Sequence, residues 1–381
     1  MSNHSRIQIV DILRGWALLT VVICNYTFFA YSREFTLHGD GTVNQILQVL
    51  EGYLLSGKGW TLLHVLFGFG FGVFLERSRQ KGQGYFPFVK RMLWLLVFAL
   101  VNTLFYEGDI LRDYAVLGLV LVPFYALPSK KLIVICAVML LLTPFVGAFV
   151  AMIPPPAEVF SGDYLMALYH SYHPLDVVKY NLIATYYEEM ISPPYLYTAH
   201  YVMFLCMLVG LILQKRHVFG NLELHRKTIL RVFIISLVAA VLMQVTLSYS
   251  IPRHLAFLKY FQMYYWCVLA TMVFTTTGIC LLHLNGKCKR LFHSFSVMGR
   301  MTLTNYMMQN VISFFVFKGV GLRLFDSLPY YAYFIIAIGL YMVQLVFSSW
   351  WLKSHEYGPV EGLWRRLSKT KNKAEVELVN S

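Results

Sequence analysis

Charge is what this chain has least of. Only 13% of its 381 residues are Asp, Glu, Lys or Arg, against 58% apolar, and mean hydropathy is +0.58. Soluble domains carry about 25% charged residues, so a water-soluble globule is excluded. Cysteine gives no framework either. All six (24, 136, 206, 267, 280 and 288) fall in apolar runs or in basic segments beside them. No disulfide set is expected, and no Cys/His spacing resembles a metal site. The apolar run from Val10 to Tyr31 has no small-residue cleavage site, so it reads as a membrane span and not as a removable secretion signal. A nucleotide loop is missing as well. Gly68, Gly70 and Gly72 lie inside an apolar run with no strand before them. Gly68 and Gly72 form instead a small-xxx-small pair, which lets two helices approach closely.

What remains is a series of long apolar runs. They cover 10–31, 58–76, 90–106, 113–128, 131–153, 198–214, 229–249, 260–283, 297–317 and 330–352. These predict an all-α, polytopic membrane bundle of about ten transmembrane helices, the fourth short or tilted. Residues 1–368 then form a single transmembrane domain and 369–381 a disordered tail.

Charge sign tests the count. With the N-terminus cytoplasmic, ten spans place 24 of the 32 Lys and Arg inside and 12 of the 19 acids outside, a balance of +17 against −4. That segregation obeys the positive-inside rule with both termini cytoplasmic. The net charge of +13 therefore reports topology and contact with anionic lipid head groups, not nucleic acid. Two outer segments, 32–57 and 154–197, are long enough to hold structure. The second opens with Pro154, Pro155 and Pro156, which stop the fifth helix. It carries eight tyrosines, which suit either a lid with stacking faces for sugars or an interfacial aromatic belt. No internal repeat is clear.

Four groups of polar residues interrupt this apolar background. In the first span Asp11 and Arg14 share a helix face, with Asn25 further along, and charge in such a position marks a polar site or an anchored helix end. Between the third and fourth runs, Glu107, Asp109, Arg112 and Asp113 could bind a hydroxylated or cationic group, position a general base, or cap the fourth helix. Arg300, Thr304, Asn305 and Gln309 lie near one stripe of the ninth run, as interhelical hydrogen-bonding groups or ligands. His38, His64, His200 and His254 are scattered, each either a structural residue or a base suited to acyl transfer.

Together these segments resemble the bacterial YeiB-like family (domain of unknown function 418), multi-pass proteins of the inner membrane. The resemblance rests on Val10-Asp11-Ile12-Leu13-Arg14-Gly15 with Asn25, Leu66-Phe67-Gly68-Phe69-Gly70-Phe71, and Gly108-Asp109-Ile110-Leu111 with Tyr114. It extends to Gly299-Arg300-Met301-Thr302-Leu303-Thr304-Asn305-Tyr306 with Gln309, and to Tyr357-Gly358-Pro359-Val360-Glu361-Gly362-Leu363-Trp364-Arg365. The opening segment is also similar to heparan-α-glucosaminide N-acetyltransferase, which moves acetyl from cytosolic acetyl-CoA to a sugar amine across the membrane, using a His after the first span. His38 is the nearest candidate for that His. One departure is visible: relatives carry a His shortly before Gly-Asp-Ile-Leu, where this chain has 101–107 without one.

The resemblance implies a transmembrane acyltransferase in a bacterial inner membrane. Acyl-CoA, acetyl-CoA in particular, would be the donor, held by Arg14, Asn25 and Arg300 and neighbouring cytoplasmic cations. Asp11, His38 and Asp109 would act on the chemistry. Glu107, Arg112, Asp113, Asn305 and Gln309 would hold a small-molecule or glycan acceptor at the outer face. Membrane lipids, and a second copy in a homo-oligomer, complete the expected partners. The alternatives are a transporter or flippase for a small or lipid-linked solute, with the intramembrane polar residues lining its path, and a structural or sensory membrane protein.

Overall fold

The computed structural model describes residues 7–30, 41–157, 159–250 and 256–369. The first helix, α1 (Gln8–Thr27), is the axis of the fold. α2 (Thr42–Leu50) runs through a π-helical turn (Glu51–Leu55) towards α3 (Lys58–Gln80), and α4 (Phe86–Thr103), α5 (Leu111–Leu121) and α6 (Ser129–Val150) follow. α7 (Gly162–Tyr169), α8 (Pro174–Ala184) and two π-helical turns (Thr185–Met190 and Pro194–Ala199) lead into α9 (His200–Lys215). The chain continues as α10 (Arg226–Ser250), α11 (Tyr264–Leu284), α12 (Lys289–Arg300), α13 (Thr302–Phe317), α14 (Tyr330–Trp351) and α15 (Pro359–Ser368). Among the described residues there is no strand.

Eight helical stretches are long and apolar enough to cross a membrane: Gln8–Ala30, Thr42–Gln80, Phe86–Thr103, Ser129–Val150, Pro194–Lys215, Arg226–Ser250, Tyr264–Leu284 and Tyr330–Trp351. The other two expected runs are helical but short. α5 has 11 residues, about 16 Å at 1.5 Å per residue, against a hydrocarbon core of about 30 Å. Pro123 turns its continuation into a tight 3-10 segment. The run 297–317 is divided at Met301, where the backbone leaves the helix at φ −120°, ψ 35°. Its first residues belong to α12, a separate amphipathic helix carrying Lys289, Arg290 and His293. Only α13, of 16 residues, continues the apolar run.

Burial separates the helices by role. α1 is enclosed on most faces, and Ile12, Leu13, Leu18 and Val22 are sealed from solvent. α10 is the opposite case: Ile235, Val238, Val241, Leu242 and Val245 all point outward, as lipid-facing residues do. Glycine sets the closest approaches. A Cβ on Gly68 of α3 would sit 2.0 Å from the Met207 carbonyl oxygen of α9, and one on Gly299 of α12 would sit 1.8 Å from that of Asp11. Gly72 faces Gln214 one turn on, so the Gly68/Gly72 pair does seat a neighbouring helix.

The bundle has two chemically different ends. The start of α1, the end of α3, the start of α4 and α15 share a basic end, where Arg91 is in electrostatic reach of both Arg14 and Arg365. At the opposite, acidic end, α7, α8 and the two π-helical turns fold over the 104–113 turn. Asn181 donates to the Leu104 carbonyl at 2.8 Å and Thr185 to that of Glu107 at 2.9 Å.

Candidate functional site

The later turns of α1, the start of α3, the turn before α5 and α13 enclose a cavity of about 50 Å³. Thr20, Cys24 and Asn25 supply one wall, and Trp60, Gly108 and Tyr306 stand among the others. One water needs about 10–15 Å³ of such space, so the cavity has room for a group the size of acetyl.

Asp109 follows the lining residue Gly108 and precedes Ile110 in the chain; its own carboxyl does not line the cavity but bonds to Tyr306, which does. Asp109 is fully buried. Its Oδ1 accepts from Asn102 Nδ2 at 2.9 Å, from the Leu111 backbone N–H at 3.1 Å and from the Tyr306 hydroxyl at 3.2 Å. The Leu111 bond also caps α5, whose first amides have no partner within the helix. Its Oδ2 is buried without a partner. Burial outweighs these donors and pushes the carboxyl up to about 7. Asn102 stands in the stretch where a His was expected, and its contribution is a hydrogen bond to the carboxylate.

Beside the cavity, His64 is sealed one turn after Trp60. Its Nδ1 lies 2.7 Å from the Trp60 carbonyl and must donate there, which leaves Nε2 an acceptor with no partner. Its ring packs on Tyr114 at 4.4 Å, and Tyr114 is within electrostatic reach of both Asp109 and Arg14.

The other acids of this turn are held by partners. Glu107 pairs with Lys318 at 2.6 Å. Lys318 is wholly buried, bonded also to Asn181 and 5.1 Å from the ring centres of both Tyr169 and Tyr180. Burial pulls its ammonium down. Arg112 bridges Asp113 at 3.3 Å and Glu189 at 2.8 Å. Burial pushes the Glu189 carboxyl up against the pull of Arg112. Asp113 further accepts from Tyr195 at 2.7 Å and faces His200 Nε2 at 3.0 Å. Since His200 Nδ1 lies 3.0 Å from the Leu196 carbonyl, both its nitrogens are engaged. The Tyr-rich segment is therefore a cover tied down by specific contacts.

At the basic end Arg14 pairs with buried Asp11 at 3.5 Å and reaches the open side of Gly70. Arg300, one residue past the contact between Gly299 and Asp11, has its Nε buried without a partner. Asn305 donates to Ser348 at 3.0 Å, and Gln309 to Gln344 at 2.8 Å. Gln344 returns a bond to the Asn305 carbonyl at 2.8 Å. These amides tie α13 to α14 and stand apart from the cavity lining. His38, like His254, lies outside the described residues, and so do 370–381 of the expected tail. Among the described residues no group of three or more His, Cys, Asp and Glu is placed to hold a metal ion.

Several contributors carry little sequence signal. Asn102, Thr20 and Trp60 are ordinary residues of apolar helices until folding brings Asn102 to Asp109 and the other two to the cavity wall. Lys318 was one of few cations expected on the acidic side, a signal that could have singled it out.

The family described as "Protein of unknown function (DUF418)" matches residues 213–371. The chain is 28% identical to "Uncharacterized protein YxaH" of Bacillus subtilis (strain 168), over 95% of this chain and 94% of that protein. It is 27% identical to "Uncharacterized 39.9 kDa protein in amylase 3'region" of Bacillus acidopullulyticus, with 95% and 94% covered. To "Uncharacterized protein YeiB" of Escherichia coli (strain K12) it is 26% identical, with 94% and 95% covered. The chain is therefore similar to YxaH and YeiB along almost its full length, and residues 213–371 match the DUF418 family.

Proposed function

We propose that this chain is a transmembrane acyltransferase of a bacterial cytoplasmic membrane, crossing it ten times with both termini inside. It takes an acetyl-sized group from cytosolic acyl-CoA to a hydroxyl or amine of a small molecule or glycan at the outer face. The observation that carries this reading is Asp109: a buried carboxyl with one unpartnered oxygen, bonded through its other oxygen to Tyr306 in the wall of a cavity large enough for acetyl. Arg14 and Arg300 at the basic end bind the donor's phosphates. Arg14 and Asn25 are 11 residues apart on α1, roughly 16 Å at 1.5 Å per residue, which matches the reach of a pantetheine arm from phosphate to thioester. The thioester carbonyl then lies among Thr20, Cys24 and Asn25. Asp109 takes the acceptor's proton, the acceptor attacks the carbonyl, the C–S bond breaks, and the proton passes to the departing CoA sulfur. His38 remains a second candidate base for the outer side.

The test is binding of acetyl-CoA to the purified protein in neutral detergent with no gradient, followed by transfer to amino sugars and alcohols. Saturable binding that survives Asp109→Asn, with transfer lost, is the expected result. A well-folded protein that binds no acyl-CoA, yet takes up solute into vesicles under an ion gradient, would overturn it in favour of a transporter. The amide nitrogens of Asn305 and Gln309, which a transport path would use, donate to Ser348 and Gln344 of α14, while Gln309 Oε1 is buried without a partner.

A further inference from the structure

α15 is too short and too charged to enter a membrane, yet it is fastened tightly across the basic end. Glu361 accepts from the Leu303 N–H at 2.7 Å, the Thr304 N–H at 3.1 Å and the Thr304 hydroxyl, so a side chain of α15 caps the first turn of α13. Val360 N–H donates to the same hydroxyl at 3.1 Å. Trp364 Nε1 donates to the Arg91 carbonyl at 2.9 Å, and the Arg91 guanidinium lies 3.8 Å from its ring centre, with Phe74 at 5.3 Å. Arg365, exposed to solvent, stacks on Tyr357 at 3.9 Å.

This fastening brings like charges together. Arg91 lies within the fields of Arg365 and Arg14. Arg300 adds a fourth guanidinium at the same end, its Nε buried and unpartnered. Of the carboxylates described at this end, Asp11 pairs with Arg14, and both oxygens of Glu361 face α13. Two of the guanidiniums, those of Arg91 and Arg365, are seated over aromatic rings. The planar guanidinium fork suits bidentate binding of phosphate in a way that a flexible ammonium group does not.

We propose that α15 is one wall of a phosphate-binding site, in which Arg365 joins Arg14, Arg91 and Arg300 around a phosphorylated anion. With the acyltransferase reading, on which this assignment of the ligand rests, the anion is the phosphate-bearing part of acyl-CoA. The same chemistry would accept the head group of an anionic phospholipid, and the experiment separates the two.

Calorimetry on the full-length protein in neutral detergent uses inorganic pyrophosphate, CoA and phosphatidylglycerol as probes. The variants are Arg365→Ala, Arg365→Lys and, as a control for general charge, Lys130→Ala. Arg365→Ala is expected to weaken pyrophosphate binding roughly tenfold or more, Arg365→Lys to restore little of it, and Lys130→Ala to leave it unchanged. CoA competing with pyrophosphate supports the donor assignment. Competition by phosphatidylglycerol alone keeps the site but overturns acyl-CoA as its ligand. Wild-type protein that binds no pyrophosphate, or an Arg365→Ala variant that binds it as wild type does, overturns the site itself. Tyr357→Leu, which removes the stack and leaves Arg365, gives a second reading and is expected to weaken binding to an intermediate degree.

Discussion

The Tyr306 hydroxyl donates to Asp109 Oδ1 at 3.2 Å, although 197 positions separate the two in the chain. The same hydroxyl accepts the Ile110 N–H at 3.3 Å. One phenol thus fixes the turn before α5 against α13 and closes a wall of the cavity, while Oδ1 is saturated and Oδ2 is left without a partner. That asymmetry orients a carboxylate for proton transfer, because only one oxygen has lone pairs to offer.

A base must be unprotonated to act, and burial pushes Asp109 up to about 7. Transfer should therefore rise as pH climbs through about 7 and level off above it. Asp109→Asn should reduce the rate by roughly 10²- to 10⁴-fold and abolish that limb. Tyr306→Phe removes a donor that favours the charged form, so its limb should move to higher pH. The same shift affects stability in the opposite sense. Between the ordinary Asp value of about 3.9 and about 7 the folded state holds a proton that the unfolded state has lost, so this group's contribution falls as pH rises. The pH–rate profiles of the three proteins check the first claim, and thermal melts of wild type and Asp109→Asn across that window check the second.

Lys318 and Glu107 form a buried pair, 2.6 Å apart. Removing one partner from such a pair costs about 3–5 kcal/mol, because the other charge is stranded. Lys318→Met should therefore lower the melting temperature sharply. The double variant Lys318→Met with Glu107→Gln should recover much of the loss. Glu107→Gln alone tests acceptor binding: if it melts earlier but transfers normally once folded, Glu107 holds the cover and not the acceptor.

Hydropathy revealed the helices because a lipid-facing surface needs long apolar runs, and α10 or α14 can be read directly from composition. It did not show that the run 297–317 is divided at Met301, with its first residues in the amphipathic α12 and the rest in α13. The polar residues of the candidate site were legible as types: Asp11, Arg14, Asn25 and Asp109 are conspicuous in an apolar chain. Their partners were not. Nothing in the local sequence says that Asn102 bonds to Asp109, that Lys318 reaches Glu107, or that Glu361 caps α13. Such pairings come from crossing helices distant in sequence. Gly68 and Gly72 were legible because close approach leaves a spacing that sequence displays.

That spacing gives a packing prediction. A methyl on Gly68 would meet the Met207 carbonyl oxygen at 2.0 Å, and one on Gly210 that of Val65 at 1.9 Å. Backbone cannot move aside as a flexible side chain does, so α3 and α9 must separate. Overpacking costs about 1–3 kcal/mol. Gly68→Ala and Gly210→Ala should each lower the melting temperature in detergent. Gly339→Ala, where nothing lies within 4 Å of the added methyl, should not.

Arg14 gives the sharpest separation of roles at the basic end. Its guanidinium pairs with Asp11 at 3.5 Å and faces the open side of Gly70. If it serves only to balance Asp11, Arg14→Lys retains the charge and should behave as wild type. If it binds phosphate by its planar fork, the lysine variant loses that geometry and keeps only a point charge. A charged hydrogen bond is worth about 1.5–3 kcal/mol, so Arg14→Ala should weaken CoA binding by roughly 10- to 100-fold at tenfold per 1.4 kcal/mol. Arg14→Lys should fall between the two. Asp11→Asn frees the guanidinium of its carboxylate and should tighten CoA while lowering thermal stability, a pairing of effects that a merely structural ion pair would not produce. Titration of CoA into the four proteins at fixed ionic strength decides it, because equal affinity of Arg14→Lys and wild type would rule out the bidentate role.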